Sequence, residues 1–235
     1  MANNFYNAVR RNVSANSTLP TQVYAAPNSK KSILIELDVA NKSSSGVTVT
    51  VCMCDESQNQ TYNTSGTTIN ANASSVSVAT GTSGLFTTTS SAAHNLIVND
   101  RVVFDSGTAS SFTDASLPPS GDTVLSIDSG SGSRMYYVQS VGAGAAPTTF
   151  TIAESESATS PLTFDTTGSS IKMVKVHLAD IVRDAPVPVG GSLKVISGQK
   201  LVIESNATNV NDKIFVYASA ATSVDCIASV LEDVS

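Results

Sequence analysis

The sequence predicts an all-β protein: a β-sandwich or jelly-roll outer domain that carries an inserted small β-barrel domain. Ser, Thr, Val, Ala and Asn dominate the composition, while Leu, Lys and Glu are sparse and Trp is absent, a mixture that disfavours long helices. Short apolar stretches alternate with a two-residue period between Gly, Asn and Asp turns, as strands do. The acidic excess is confined to the middle of the chain, which favours an insertion.

The first half of the outer domain contains two predicted strands. Residues 32–54 (SILIELDVANKSSSGVTVTVCMC) have two apolar stretches around a polar turn at 41–46, which predicts a hairpin. In its second strand the two faces are divided between Val47, Val49, Val51 and Met53 on one side and Thr48, Thr50, Cys52 and Cys54 on the other. The first twenty residues, which begin near FYNAVRR, are expected to form a short helix or an arm.

The C-terminal part repeats the strand pattern in four stretches: SLKVIS, KLVIES, DKIFVYAS and SVDCIASVLE. Each is short and is separated from the next by Gly, Asn or Asp. Several short strands at such spacing are typical of a sandwich or jelly roll.

The charge distribution predicts where the insert lies. Residues 82–170 contain two basic and eight acidic residues, a net charge of −6 that equals the charge of the whole chain, and the flanks balance to zero. We therefore predict a discontinuous outer domain of residues 1–80 and 171–235 with an acidic insert of residues 81–170.

The insert has its own strand pattern and its own aromatic residues. The predicted strands are DRVVF, TVLSI, RMYYVQSV, TTFTIAE and SPLTFD. The aromatic residues expected inside the small barrel are Phe104, Tyr136, Phe150 and Phe164.

Composition also limits the partners. The net charge of −6 and the lack of a clustered basic patch argue against nucleic acid. The start MANNFYNAVRR lacks a signal-peptide core, and no stretch approaches about 18 apolar residues, so neither export nor a membrane is expected. Cys52, Cys54 and Cys226 do not make a disulfide framework, which favours synthesis in a reducing cytoplasm.

The residues that could carry chemistry are few and poorly placed for it. Cys52 and Cys54 have no second ligand pair for zinc. His177 and Asp180 could form an orienting pair, but no nucleophile elbow accompanies them, and His94 is expected to be structural. We predict no enzyme activity, no catalytic residue, no cofactor and no metal site.

Three acidic or glycine-rich stretches also lack the pattern of a ligand site. GAGAAP at 142–147 lacks the pattern of a phosphate-binding loop. Asp122 and Asp128 lack the spacing of a calcium loop. Glu154 and Glu156 are expected on one strand face, where a solvated acidic edge is the simpler interpretation.

Several ordered blocks resemble a known group of proteins. The stretch TQVYAAPNSKKSILIELDVANKSSSGVTVTV, then RDAPVPVGGSLKVISGQKLVIES at 183–205 and the closing ASVLEDV resemble the small β-sandwich virion structural proteins of tailed phages, especially marine and cyanobacterial ones. In the insert, HNLIVNDRVVFDSG, YYVQSV, TTFTIAES and SPLTFD resemble β-modules of phage structural proteins related to the first catalytic-cysteine half-domain of ubiquitin-activating enzymes. That pattern has Gly before Asp where this chain has Asn99, which also tolerates left-handed geometry. The insert contains no cysteine, so no ubiquitin chemistry is implied.

The resemblance implies a non-enzymatic virion protein, made in the host cytoplasm, that forms a homo-oligomer and contacts other virion structural proteins. A neck, collar or tail accessory position is expected, with capsid decoration as an alternative. A second alternative is that the insert binds a host-surface glycan or protein receptor. Tyr136 and Tyr137 are the candidate contacts, since adjacent strand residues face opposite ways and only one can be in the core.

Overall fold

The structure is a computed structural model that describes residues 4–62, 76–79, 85–88, 94–105, 135–144, 147–162, 172–207 and 210–232. Most of its described residues are in strands, and their one helical element is a single 3₁₀ turn at Glu56–Gln58. The predicted all-β class is confirmed. Within the described ranges, no helix has the length and apolar character that a membrane span requires.

The strands are numbered in chain order. Those within the described ranges are β1 (Asn4–Arg10), β2 (Thr21–Ala25), β3 (Lys31–Asn41), β4 (Val47–Cys54), β5 (Gln60–Tyr62), β6 (Val76–Ala79), β7 (Leu85–Thr88), β8 (Arg101–Asp105), β9 (Tyr136–Val141), β10 (Thr149–Ala153), β11 (Lys172–Val176), β12 (Leu178–Val187), β13 (Ser192–Ala207), β14 (Val210–Asn211), β15 (Lys213–Ala218) and β16 (Val224–Glu232).

The chain divides into two compact units. The first combines Met1–Gln58 with His177–Ser235, and the second is Asn59–Val176. These limits differ from the predicted 80/81 and 170/171 because β5 and β11, which the prediction gave to the outer domain, pair with each other, and β11 also pairs with β8 of the insert. Charge counting misses such strands, since β5 carries no charged residue.

The first unit is a sandwich of two antiparallel sheets. One has the strand order β1-β16-β3-β13-β14 and the other β12-β4-β15-β2. The core residues come from both sheets and are mostly Val, Leu, Ile and Ala; they include Leu34, Leu37, Val39, Val49, Val51, Ile203, Ile214, Val216, Cys226 and Val230. The predicted faces of β4 are correct, since Val47, Val49 and Val51 belong to this core and Met53 packs against it.

The predicted hairpin between β3 and β4 is wrong. Strand β3 pairs with β13 and β16 in one sheet, and β4 pairs with β12 and β15 in the other, so residues 42–46 cross between the layers. Asn41 holds the crossing: its side-chain amide donates to the carbonyls of Ser45 (2.8 Å) and Val187 (3.1 Å), and its Oδ1 accepts from the Ser43 backbone N–H (2.9 Å). A buried amide that bonds both the loop and β12 favours the crossing over a turn within one sheet.

The ends of the outer unit also differ from expectation. The predicted strands SLKVIS and KLVIES form one long strand, β13, whose register against β3 shifts between Ser197 and Leu201. Gly198 lies in that shift with a φ of +74°, which a residue without Cβ adopts readily. The expected N-terminal helix or arm is instead strand β1, which pairs along its whole length with β16.

The second unit contains one curled antiparallel sheet, in the order β5-β11-β8-β9-β10-β7-β6. The prediction placed strands at β8, β9 and β10 and missed β6 and β7. Phe86 on β7 stacks on Phe150 of β10, with ring centroids 4.8 Å apart, and both rings are fully buried. The predicted strand TVLSI lies outside the described residues, as do residues 163–165 of SPLTFD, which include Phe164. Residues 160–162 of SPLTFD are described and are not in a strand, and nothing is described of the Phe104 side chain.

We expect Asn41→Ala to destabilise the first unit by about 1–3 kcal/mol, because the buried Val187 carbonyl loses its bond from the Asn41 amide and the Ser43 N–H loses its acceptor. Equilibrium urea denaturation measures the change. Ser44→Ala, an exposed position in the same loop, is the matched control and should leave the midpoint unchanged. An Asn41→Ala midpoint equal to that of the control would contradict the role given to Asn41.

The observed unit limits predict which deletion folds. Replacing Asn59–Val176 by a short Gly-Ser bridge should leave a cooperatively folding sandwich, because Cys54 and Leu178 are paired across β4 and β12 and the Asp55 N–H donates to the His177 carbonyl (3.1 Å). Removing only residues 81–169 should give a less soluble product, because β5 and β11 would remain without β8. Circular dichroism with thermal unfolding distinguishes the two products. A cooperative transition for the shorter deletion and none for the longer one would reverse this assignment.

Candidate interaction surface

The outer face of the five-stranded sheet carries a row of apolar side chains, the apolar row. It runs across four strands in direct register through Phe5 on β1, Leu231 on β16, Ile33 on β3 and Val202 on β13. Phe5 is 71% exposed and Val202 is 52% exposed. Apolar side chains in neighbouring positions with such exposure make this face a candidate interaction surface.

A second row on the same face, the mixed row, combines apolar and charged residues. It contains Val9, Ile227, Asp38 and Lys194 in successive strands, and Val9 and Ile227 are each about half exposed, at 47% and 49%. The Lys194 ammonium lies 3.0 Å from a carboxylate oxygen of Glu36, and this hydrogen bond raises the pKa of Lys194.

Asp38 is the unusual member of the mixed row. Its Oδ1 is buried and has no hydrogen-bond partner among the described residues. A buried carboxylate oxygen without a donor is costly. Behind it, burial raises the pKa of the Cys226 thiol to about 12, which makes that cysteine unreactive.

Strand β1 is an end strand of this sheet. Natural edge strands are usually protected by Lys, Pro or a bulge, but β1 has the sequence NFYNAVR and pairs with β16 without a register shift. Its only charge is Arg10 at the end, where Nε donates to the Gln22 carbonyl at 2.7 Å. This surface is not among the sequence-based predictions, although the aromatic pair of Phe5 and Tyr6, followed by uncharged residues, is a visible signal of it.

Buried charges elsewhere in the first unit are paired within it. The Lys213 ammonium pairs with Glu56 Oε1, and Glu56 Oε2 accepts from the Asn211 backbone N–H (2.8 Å). Asp212 is also buried, which raises its pKa, and it accepts from the Glu204 N–H (3.1 Å). These contacts fasten the 3₁₀ turn to β14 and β15, and buried charges with such partners are structural.

The two tyrosines proposed for ligand contact are not placed as expected. Both Tyr136 and Tyr137 are only 5% exposed, so the expectation that one faces solvent is wrong. The Arg101 guanidinium lies 3.4 Å from the centre of the Tyr137 ring and covers it through a cation–π contact. Alternation along a strand separates the two faces, but here both faces of β9 are covered.

His94 is a structural histidine within the second unit. Its ring is fully buried; the Leu96 N–H donates to Nδ1 (3.1 Å), so Nε2 carries the proton and donates to the Thr149 carbonyl (3.0 Å). Burial lowers its pKa. In the turn that follows, Asn99 has a φ of +73°, the left-handed geometry expected for this position.

The remaining sequence candidates are dispersed. His177 and Asp180 are both exposed, and Asp180 lies near Arg183 (3.7 Å). Cys52 and Cys54 form no disulfide, lie on the β4 face away from the core valines, and are both buried. Glu154 and Glu156 follow the end of β10 in a turn closed by the Ala158 N–H and the Ser155 carbonyl (3.2 Å), so they do not share a strand face.

The two remaining sequence candidates lie partly or wholly outside the described residues. Asp122 and Asp128 lie outside the described residues, as do residues 145 and 146 of GAGAAP. Over the part of the chain that the structure describes, no three His, Cys, Asp or Glu residues come together as a metal site would require.

Comparisons of the chain with models of protein families, with curated proteins and with solved structures found no match. Neither a family nor an activity follows from them.

The buried neutral His94 predicts acid sensitivity of the second unit. Its folded pKa is below the unfolded value of about 6.5, so its contribution to stability is complete above about pH 6.5 and is lost as pH falls below it. Thermal unfolding should therefore occur at a lower temperature near about pH 5 than near about pH 7.5, and His94→Gln should reduce that difference. His177→Gln is the matched control because His177 is exposed. Equal pH dependence in the His94 variant and the wild-type chain would contradict the prediction.

Proposed function

We propose that this chain is a non-enzymatic structural subunit of a tailed-phage virion, in a neck, collar or tail accessory position, and that it works as a symmetric oligomer. The observation that carries the proposal is the exposed outer face of the five-stranded sheet, with its apolar row and the edge strand β1. The resemblance of the sequence blocks to phage β-sandwich proteins supports the same role.

Assembly supplies the mechanism. Covering Phe5, Val9, Ile227 and Val202 would remove apolar area from water, at about 25 cal/mol per Å². Closed symmetry repeats each modest contact in every subunit, so an interface of ordinary quality becomes a stable ring or shell contact.

The low charge of the chain fits this role. Charged residues make up 14% and apolar residues 41%, so Ser, Thr and Asn must cover much of the exterior of a lone monomer. Assembly reduces the surface that needs such cover. Capsid decoration is the alternative position, and a particle reconstruction that resolves domains distinguishes the two.

The second alternative, a receptor-binding insert, has less support. Its candidate contacts Tyr136 and Tyr137 are buried, and Arg101 covers one ring. The large apolar side chains that are exposed among the described residues of the second unit are Ile97 and Val98, in the turn before β8. They suit contact with a protein better than with a sugar.

Purified virions of the phage that encodes this chain should contain it in many copies. Quantitative mass spectrometry of gradient-purified particles measures the copy number against the major capsid protein. Phe5→Lys with Ile227→Lys should reduce incorporation, while Lys200→Gln, an exposed position on β13, should not. Absence of the chain from the particles would overturn the proposal.

A further inference from the structure

The edge strand β1 has the properties of a self-pairing strand. Its outer edge pairs with no strand among the described residues, and its outward side chains are Phe5, Asn7 and Val9. Phe5 and Val9 are exposed, at 71% and 47%, although substitution by polar residues would leave the fold of the monomer unchanged. An open edge with apolar side chains and no protective lysine is a template for another strand.

We propose that β1 pairs antiparallel with β1 of a second copy of this chain, about a two-fold axis at Asn7. This inference names the contact for the assembly proposed above and in that respect rests on it, but it concerns the purified protein. The two five-stranded sheets then become one continuous sheet with an isologous contact at its centre.

The register follows from the length and faces of the strand. Strand β1 has seven residues, and only the register centred on Asn7 pairs all of them. Registers that place an outer residue opposite a core-facing residue are excluded, because opposed residues in an antiparallel pair share a face.

The side chains are complementary in that register. Phe5 faces Val9 of the second copy, twice by symmetry, and aromatic with β-branched residues is a favourable cross-strand pair. Tyr6 faces Ala8, which is small, and Asn7 faces Asn7, so that the two amides can bond each other. The apolar row of one copy then continues into Val9 and Ile227 of the other.

The charges are complementary as well. Arg10 of one copy faces Asn4 of the second copy, and that Asn4 is paired with Glu232 in its own sheet. The Arg10 cation of the first copy therefore lies on the same sheet face as the Glu232 carboxylate of the second copy, two strands away. The two Arg10 residues are at opposite ends of the paired strands, about 20 Å apart at about 3.3 Å per residue, which avoids repulsion.

Sedimentation velocity of the purified full-length chain tests the pairing through a charge swap. The wild-type chain should sediment at twice its 24.2 kDa mass and dissociate on dilution. Phe5→Lys with Val9→Lys places two like charges in each cross-copy pair and should give monomer. Phe5→Glu with Val9→Lys places opposite charges in the same pairs and should restore the dimer in low salt. Ser197→Lys, at an exposed position of β13 outside both rows, is the control and should remain dimeric.

Cross-linking checks the register independently. Asn7→Cys should oxidise to a covalent dimer, because the two Cα atoms at the axis are opposed at a separation that a disulfide spans, and the native Cys52, Cys54 and Cys226 are buried. Phe5→Cys should cross-link poorly, since its opposed residue is Val9. A wild-type chain that stays monomeric and an Asn7→Cys chain that does not cross-link would overturn the pairing, even if the chain is found in virions. Absence from virions would overturn the proposed function, even if the dimer forms.

Discussion

The fold of the first unit depends on one constraint: two sheets must each bury an apolar face, and neither can do so alone. The layer between them is built from side chains such as Leu34, Leu37, Val49, Val51 and Val216, each of which contributes about 1.5–3 kcal/mol when fully buried. Because β3 and β4 belong to different sheets, the crossing at residues 42–46 brings the two halves of this layer together. Asn41 stabilises the crossing, since its amide donates to the buried Val187 carbonyl and its Oδ1 accepts from the Ser43 N–H in the loop.

The second unit satisfies the same constraint with different residues. Its core includes the stacked pair Phe86 and Phe150 and the ring of His94, which lies edge-on to Phe150 at 5.2 Å. A neutral imidazole can fill an aromatic core while bonding two backbone groups, Leu96 N–H and the Thr149 carbonyl. Its position in the loop before β8 therefore ties that loop to β10. Because the second unit has its own core, the acidic segment with its charge of −6 folds separately from the neutral flanks that form the sandwich.

The sequence predicted most of what local periodicity determines. Alternation predicts the two faces of β4 and the strands β3, β4, β8, β9, β10, β15 and β16. The left-handed geometry of Asn99 follows from its position in a turn. Which strands pair with each other does not follow from alternation, because a polar turn of five residues suits either a hairpin or a crossing between sheets. The unit limits were misplaced because β5 and β11 are short and not acidic. Exposure of Tyr136 and Tyr137 depended on whether Arg101 and neighbouring strands cover β9, which a single strand's pattern cannot reveal. For the same reason the pattern of β1 alone does not reveal the apolar row, which crosses four strands.

The two ends of the five-stranded sheet differ, and the difference concerns the apolar row that begins at Phe5 on β1. At one end β14 is a two-residue strand fastened by Asn211 to Glu56, and a very short end strand offers little to a partner. At the other end β1 offers seven regular residues with Phe5 and Val9 exposed. A chain under selection only to stay monomeric would gain solubility from a single Lys at Phe5 or Val9, at almost no cost in stability because both side chains are exposed. The difference between the protected and the open end therefore supports the pairing of β1 that we propose.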